Sequence, residues 1–206
     1  MRSSTTIAVS FGVLVGAIAV AQVPVQDSVD ATVRKLLKDD HWTTTGSLRE
    51  LLRLGDKAFP TYEQILREAG SSRLDVERVF YLINRTDSEN RRHFVPLAIK
   101  GALGEHPIQA SELLGEIGEP DDAAVLLALL SHSRLEARLV AARAIAKIGT
   151  AKERAWLQAW LEEQLAPVDQ DVKREVQNAI NMITTRLVQE KGREMGSVTE
   201  SPRTER

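Results

Sequence analysis

The stretch from Leu113 to Gly149, LLGEIGEPDDAAVLLALLSHSRLEARLVAARAIAKIG, limits what this chain can fold into more than any other. It reads as the end of one helix, a turn at Gly118-Glu119-Pro120, a short apolar helix, a tight Ser131-His132-Ser133 turn, and a third helix closing on Ile148-Gly149. Helix pairs of this size bury their apolar stripes only against neighbours of their own kind. The stretch therefore predicts an all-α chain built as a short α-α superhelix. Leu, Ala, Ile and Val supply most of the apolar content while aromatics are only 4%, a bias that suits closely packed helices and not a β domain.

The rest of the chain repeats the unit. Helix ends are read at Leu54-Gly55, Ile83-Asn84, Ile117-Gly118, Ile148-Gly149 and Ile183-Thr184, spaced by 29, 34, 31 and 35 residues, within the range of helix-pair repeats. Overlaying 136–149 on 171–184 pairs Glu136 with Asp171, Arg138 with Lys173, Ala144 with Ala179, Ile145 with Ile180 and Ile148 with Ile183. Residue type recurs along with hydrophobicity.

Ile117-Gly118-Glu119-Pro120-Asp121-Asp122-Ala123 and the spacing Arg138-x-x-Ala141-Ala142-x-Ala144-Ile145-x-x-Ile148-Gly149 resemble HEAT-like repeats, closest to the subtype named after phycobilisome lyases. Leu54-Gly55-Asp56-Lys57-Ala58-Phe59-Pro60 looks like the same turn in an earlier repeat. The resemblance is good over 110–185 and weaker over 47–104. It departs from the pattern at Asn84 and Thr184, where the turn glycine is missing. It implies a right-handed solenoid of antiparallel helix pairs serving as a scaffold for protein contacts. It also implies that the acid and base at 136/138 and 171/173 bond between neighbouring repeats.

The amino end reads as an address. Met1-Arg2 is followed by an uncharged apolar run, Ile7–Ala21, that closes on Ala19-Val20-Ala21, with Pro24 just beyond. These are the three regions of a secretory signal peptide, so residues 1–21 are expected to direct export to the periplasm or cell exterior. An uncleaved anchor is the competing reading, opposed by a run shorter than the ~20 residues that span a bilayer. The domain plan that follows is signal peptide 1–21, a lead-in helix and loop 22–46, a repeat domain 47–188 and a disordered polar tail 189–206. Within it, Ser28 or Asp30 caps the lead-in helix, a helix from the Thr86-Asp87-Ser88 cluster to about Leu103 is kinked by Pro96, and Asp121 or Asp122 caps the next helix.

No catalytic set is legible. The chain has no cysteine, which excludes disulfides, thiolate zinc sites and cysteine nucleophiles. Its four histidines, His41, His93, His106 and His132, lie in separate turns or helix starts without ligand spacing, so no metal site is expected. No glycine elbow, phosphate loop or other cofactor motif is present. A net charge of −2 gives no electrostatic case for nucleic acid.

The expected contact surface is the solvent side of the second helices, which would line the concave face of a solenoid. Turned away from the apolar stripes there are Glu112 and Glu116, then Arg143 and Lys147, then Glu175 and Asn178. Their alternating signs suit a protein partner of mixed charge. Trp156 and Trp160, four apart on one helix, are read first as core and otherwise as an aromatic interaction patch. The function expected is an exported, non-enzymatic scaffold or adaptor that binds another protein. The alternative is a lyase-like or chaperone-like component acting on a cofactor-bearing partner, marked by an apolar pocket with Trp42 or Trp156 at its mouth.

Overall fold

A computed structural model describes residues 23–163 and 169–197 of the chain. The expected signal peptide, 1–21, lies outside the described residues. Among the described residues there is no strand, and ten α-helices follow one another: α1 (Val23–Leu37), α2 (Gly46–Leu54), α3 (Phe59–Arg67), α4 (Arg73–Arg85), α5 (Val95–Leu103), α6 (Pro107–Ile117), α7 (Ala123–Leu129), α8 (Leu135–Ile148), α9 (Ala151–Glu163) and α10 (Gln170–Ser197). Short 3-10 turns, Gly55–Ala58, Glu89–Phe94 and Pro120–Asp122, lead into α3, α5 and α7.

The even-numbered helices pack side by side in chain order, α2 on α4, α4 on α6, α6 on α8 and α8 on α10. Each odd helix packs on the even helix that follows it, and α1 touches α3 as α5 touches α7. The result is two layers of helices with the core between them, filled by fully buried Leu51, Phe80, Leu113, Leu114, Leu126, Ile145 and Ile183. Burying each such side chain contributes about 1.5–3 kcal/mol. Gly115 lies beside Ala144 and Gly118 beside Ile148, so α6 and α8 run in the same direction. Arg143 meets Glu175 and Gly149 meets Ile183, so α8 and α10 do too.

The turns that end α6 and α8 are built alike. At Gly118 the backbone N–H returns to the Leu114 carbonyl at 2.8 Å, and at Gly149 to the Ile145 carbonyl at 2.7 Å. Three residues past the first amide beyond each glycine, an acid folds back: Glu119 N–H donates to Asp122 and Thr150 N–H to Glu153, both at 2.8 Å. Neither glycine uses a left-handed backbone, with φ at −71° and −66°. Gly149 is required by space: a Cβ there would stand 2.7 Å from the Ile145 carbonyl oxygen and 3.0 Å from Ile183 Cδ1. Among the described residues only Gly55, at φ 53° and ψ −135°, has a positive φ, a backbone that side chains rarely adopt.

Several expectations are corrected. The helix predicted from Ser28 or Asp30 is already formed at Val23, the first of the described residues. It is also more than a lead-in, since Val33 and Leu37 are buried in the common core. Pro96 kinks nothing: the chain runs as a 3-10 turn to Phe94, and Pro96 sits in the first turn of α5. Asp122 stands at the N-cap position of α7 but makes no side-chain cap there; its carboxylate closes a capping box with Glu119 at the start of the preceding 3-10 turn. Of the segment 189–206, read as a disordered tail, residues up to Ser197 continue α10, and 198–206 lie outside the described residues. Where the turn glycine is missing at Asn84, α4 runs on to Arg85 and stops at Thr86.

The space around Gly149 yields a stability test. Gly149→Ala is expected to cost about 1–3 kcal/mol in urea denaturation, because a backbone carbonyl and a packed isoleucine must both give way. Gly70→Ala, where a Cβ meets nothing within 4 Å, should stay within about 0.5 kcal/mol of the parent chain.

Candidate functional site

The six residues expected to form a contact surface come together. Glu112, Glu116, Arg143, Lys147, Glu175 and Asn178 all line one groove of about 360 Å³ running over α6, α8 and α10. Helical spacing puts each pair on the outer side of its own helix, and the parallel stacking of α6, α8 and α10 sets the three pairs side by side. The buried residues Val140, Ala144 and Ala179 form the floor, joined by Met182, which is 55% exposed. Asn84 and Arg85, at the end of α4, complete the lining.

The charges are largely spent on one another. Lys147 donates to Glu116 of the preceding even helix. Arg143 donates to Glu175 of the following one at 3.0 Å. Arg85 lies over the Tyr81 ring, 5.3 Å from its centroid, and on the same helix Arg78 lies over Trp42 at 5.4 Å. Alternation of sign from repeat to repeat, read from the sequence as a pattern offered to a partner, is first of all a set of bonds between neighbouring helices.

The ladder expected at 136/138 and 171/173 does not form between repeats. Arg138 donates to the His132 and Ser133 carbonyls in its own turn, Arg134 reaches Glu136 at 3.5 Å, and Asp171 pairs with Arg174 at 2.7 Å. Those residues lie at the start of their helices, within reach of the preceding turn. The longer-range polar contacts are elsewhere. Arg34 pairs with Glu68 at 3.2 Å and Arg92 with Glu119 at 2.5 Å. Asp56 accepts from Ser88 and Asn90 at 2.8 and 2.7 Å, which holds its carboxyl below the usual range, the Asn90 amide contributing most. Arg186 of α10 donates to the last carbonyls of α8, those of Ala146, Lys147 and Gly149.

Trp156 and Trp160 differ in exposure. The buried stripe of α9 runs through Glu153 and Leu157, with Trp160 and Leu161 packed partly against the core. Trp156 lies on its flank, 40% exposed. Neither Trp42 nor Trp156, the expected mark of a cofactor-handling pocket, lines the groove. Among the described residues no three of His, Asp and Glu converge in a metal-ligating group. His106 is half-buried, its Nδ1 4.0 Å from Glu77 and without a hydrogen-bond partner, and burial lowers its pKa.

Sequence reasoning passed over Met182, Asn84 and Arg85. Met182 follows Asn178 by four residues on the same face of α10, so helical spacing alone would have found it. Asn84 and Arg85 were hidden because the helix was expected to end at Ile83. No family model matches the chain, and no curated protein or solved structure shows significant similarity to it.

Both partners of the Glu116–Lys147 pair are substantially exposed, so its contribution to stability should be small. A double-mutant cycle with Glu116→Gln and Lys147→Met is expected to give a coupling energy of about 0.2–1 kcal/mol. Raising the salt to about 1 M should shrink it towards zero, since the screening length there falls to about 3 Å. A coupling of several kcal/mol would show instead that the groove is closed to solvent.

Proposed function

We propose that the chain is an exported, non-enzymatic scaffold, built as a short HEAT-like superhelix of helix pairs, that holds a protein partner in the groove over α6, α8 and α10. The observation that carries this reading is the convergence of Glu112, Glu116, Arg143, Lys147, Glu175 and Asn178 around an apolar floor. Stacking of the even helices in chain order, with the odd helices on the other side, supports the superhelix. So do the alike turns at Gly118 and Gly149 and the 3-10 entry into α3, α5 and α7. The apolar run Ile7–Ala21 and its Ala19-Val20-Ala21 ending support export. An apolar floor rimmed by polar groups is the usual anatomy of a protein contact site, and self-paired rim charges give selectivity without a strong pull on any polyanion.

Brief cross-linking in the native cells, followed by affinity purification of the tagged chain, tests the reading. Met182→Glu is the informative variant, because Met182 lines the groove while standing mostly in solvent. The parent chain should retain a dominant protein partner, and Met182→Glu should lose it while keeping its helical circular dichroism and a stability within about 1 kcal/mol. A partner held equally by both chains would place the contact elsewhere. A catalytic turnover by the purified chain, abolished by a point substitution that leaves it folded, would contradict the scaffold.

A further inference from the structure

The charges along the groove alternate from helix to helix and leave one pair unmade. α4 lies beside α6 in the same direction: Glu77 stands 4.0 Å from His106 at the start of α6, and further along both helices Arg85 lines the same groove as Glu112 and Glu116. Read from α4 to α10, the charged side chains of the groove are Arg85, then Glu112 and Glu116, then Arg143 and Lys147, then Glu175. Glu116 is bonded to Lys147 and Arg143 to Glu175. The pair that the same alternation would place between α4 and α6 is absent. Arg85 and Glu112 are both exposed, and among the described residues neither side chain makes a hydrogen bond or an ion pair.

Arg85 is held instead by an aromatic column. Its guanidinium lies over Tyr81 at 5.3 Å, Tyr81 meets Trp42 edge to face at 5.5 Å, and Arg78 lies over Trp42 at 5.4 Å. Arg78 is buried and donates to the Leu37 carbonyl, so the column is anchored in the core. A guanidinium held over a ring keeps its N–H donors, and a carboxylate can take two of them side by side. Glu112, one helix on, is acceptor only and asks for a cation. Packed helices lie about 8–10 Å apart, which is the order of separation between the two charges a ligand must match. A ligand of one sign gains at one residue and is opposed at the other.

We propose that the unmade pair is where the partner protein is recognised: it presents a carboxylate to Arg85 and a cationic side chain to Glu112, with an apolar side chain beside them on the floor of Ala144, Ala179 and Met182. The partner then supplies both missing counter-charges and leaves the Glu116–Lys147 and Arg143–Glu175 pairs intact. Recognition follows a direction across the helices, acid at α4, base at α6, apolar group over α8 and α10. This rests on reading the groove as the partner site and names the charges presented there.

The protein cross-linked to the tagged parent chain in its native cells is purified, and its binding to the full chain and to variants is measured by isothermal titration calorimetry. Arg85→Gln and Glu112→Gln should each weaken binding about three- to tenfold, with the helical circular dichroism and urea midpoint kept. Glu116→Gln with Lys147→Met, which removes a closed pair whole, should change it less than about twofold. Salt at about 1 M should weaken the parent chain and leave the Arg85→Gln/Glu112→Gln double variant nearly unchanged. In the free chain, a double-mutant cycle on urea stability should show no coupling between Arg85 and Glu112; a coupling would show the pair closed in solution and overturn the proposal. Loss confined to one of the two variants, or tighter binding by the other, would overturn it in favour of a partner of single sign. If neither variant changes binding while Met182→Glu abolishes it, the charge recognition is refuted and the groove stands as the partner site. If Met182→Glu changes nothing either, or no partner is recovered, both fail.

Discussion

Gly115 has no side chain, and that sets how near α6 comes to α8. A Cβ at this position would lie 3.0 Å from both the Cα and the Cβ of Ala144, tight enough that the two helices would have to move apart by a few tenths of an ångström. α8 answers with Ala137, Ala141, Ala142, Ala144 and Ala146, all buried. Small residues let two helix backbones meet with few voids, and close-packed interiors allow no slack on either side of such a seam. A second device acts at this step and at the next. Ile148, closing α8, reaches over Gly118, and Ile183 over Gly149; the helix end read at Ile183-Thr184 is instead the interior of α10, so each Ile-Gly turn receives the equivalent isoleucine of the next even-numbered helix. The repeated Ile-Gly pair is therefore both the end of a helix and the socket for its neighbour.

The groove is a consequence of that layer. Once α6, α8 and α10 lie parallel and close, residues turned outward from each are forced into one strip, and opposite charges on adjacent helices fall within bonding distance. Glu116–Lys147 and Arg143–Glu175 are exposed pairs that add little to stability. Their larger effect is to fix the rim and to balance four of its charges, around an apolar floor and beside the exposed Glu112. Arginines do the heavier structural duty away from the groove. Arg186 ties α10 to the open carbonyls at the end of α8, and buried Arg78 ties α4 to the Leu37 carbonyl at the end of α1. A guanidinium carries five N–H donors in a rigid planar fork, so it can serve several carbonyls at once in a fixed geometry.

The helical class and the order of the helices were legible because apolar spacing and the Ile-Gly ends are local signals. The outward faces of α6, α8 and α10 were legible for the same reason, since a solvent face is the complement of an apolar stripe. What followed from contacts between helices was not. The overlay of 136–149 on 171–184 correctly matched Ala144 with Ala179, two floor residues, yet the same overlay suggested a charge ladder at 136/138 and 171/173 that local turn contacts pre-empt. Pro96 was misplaced because a proline reads alike as a kink or as the first turn of a new helix. The split of Trp156 from Trp160 depends on which side of α9 meets α10. The continuation of α10 past Glu190, with residues 191–193 exposed, has no apolar stripe to announce it.

The central claim is that α6, α8 and α10 form a single packed unit locked through Gly115 and the Ile-Gly sockets, with the groove as its outer surface. Native-state hydrogen exchange, resolved by residue, tests it most directly. The account predicts that the buried amides of Leu113–Ile117, Ala141–Ile145 and Val176–Ile183 exchange through one shared opening, and that Gly115→Ala accelerates all three segments by the same factor. Exchange of α10 through a separate opening of lower free energy, untouched by Gly115→Ala, would contradict it.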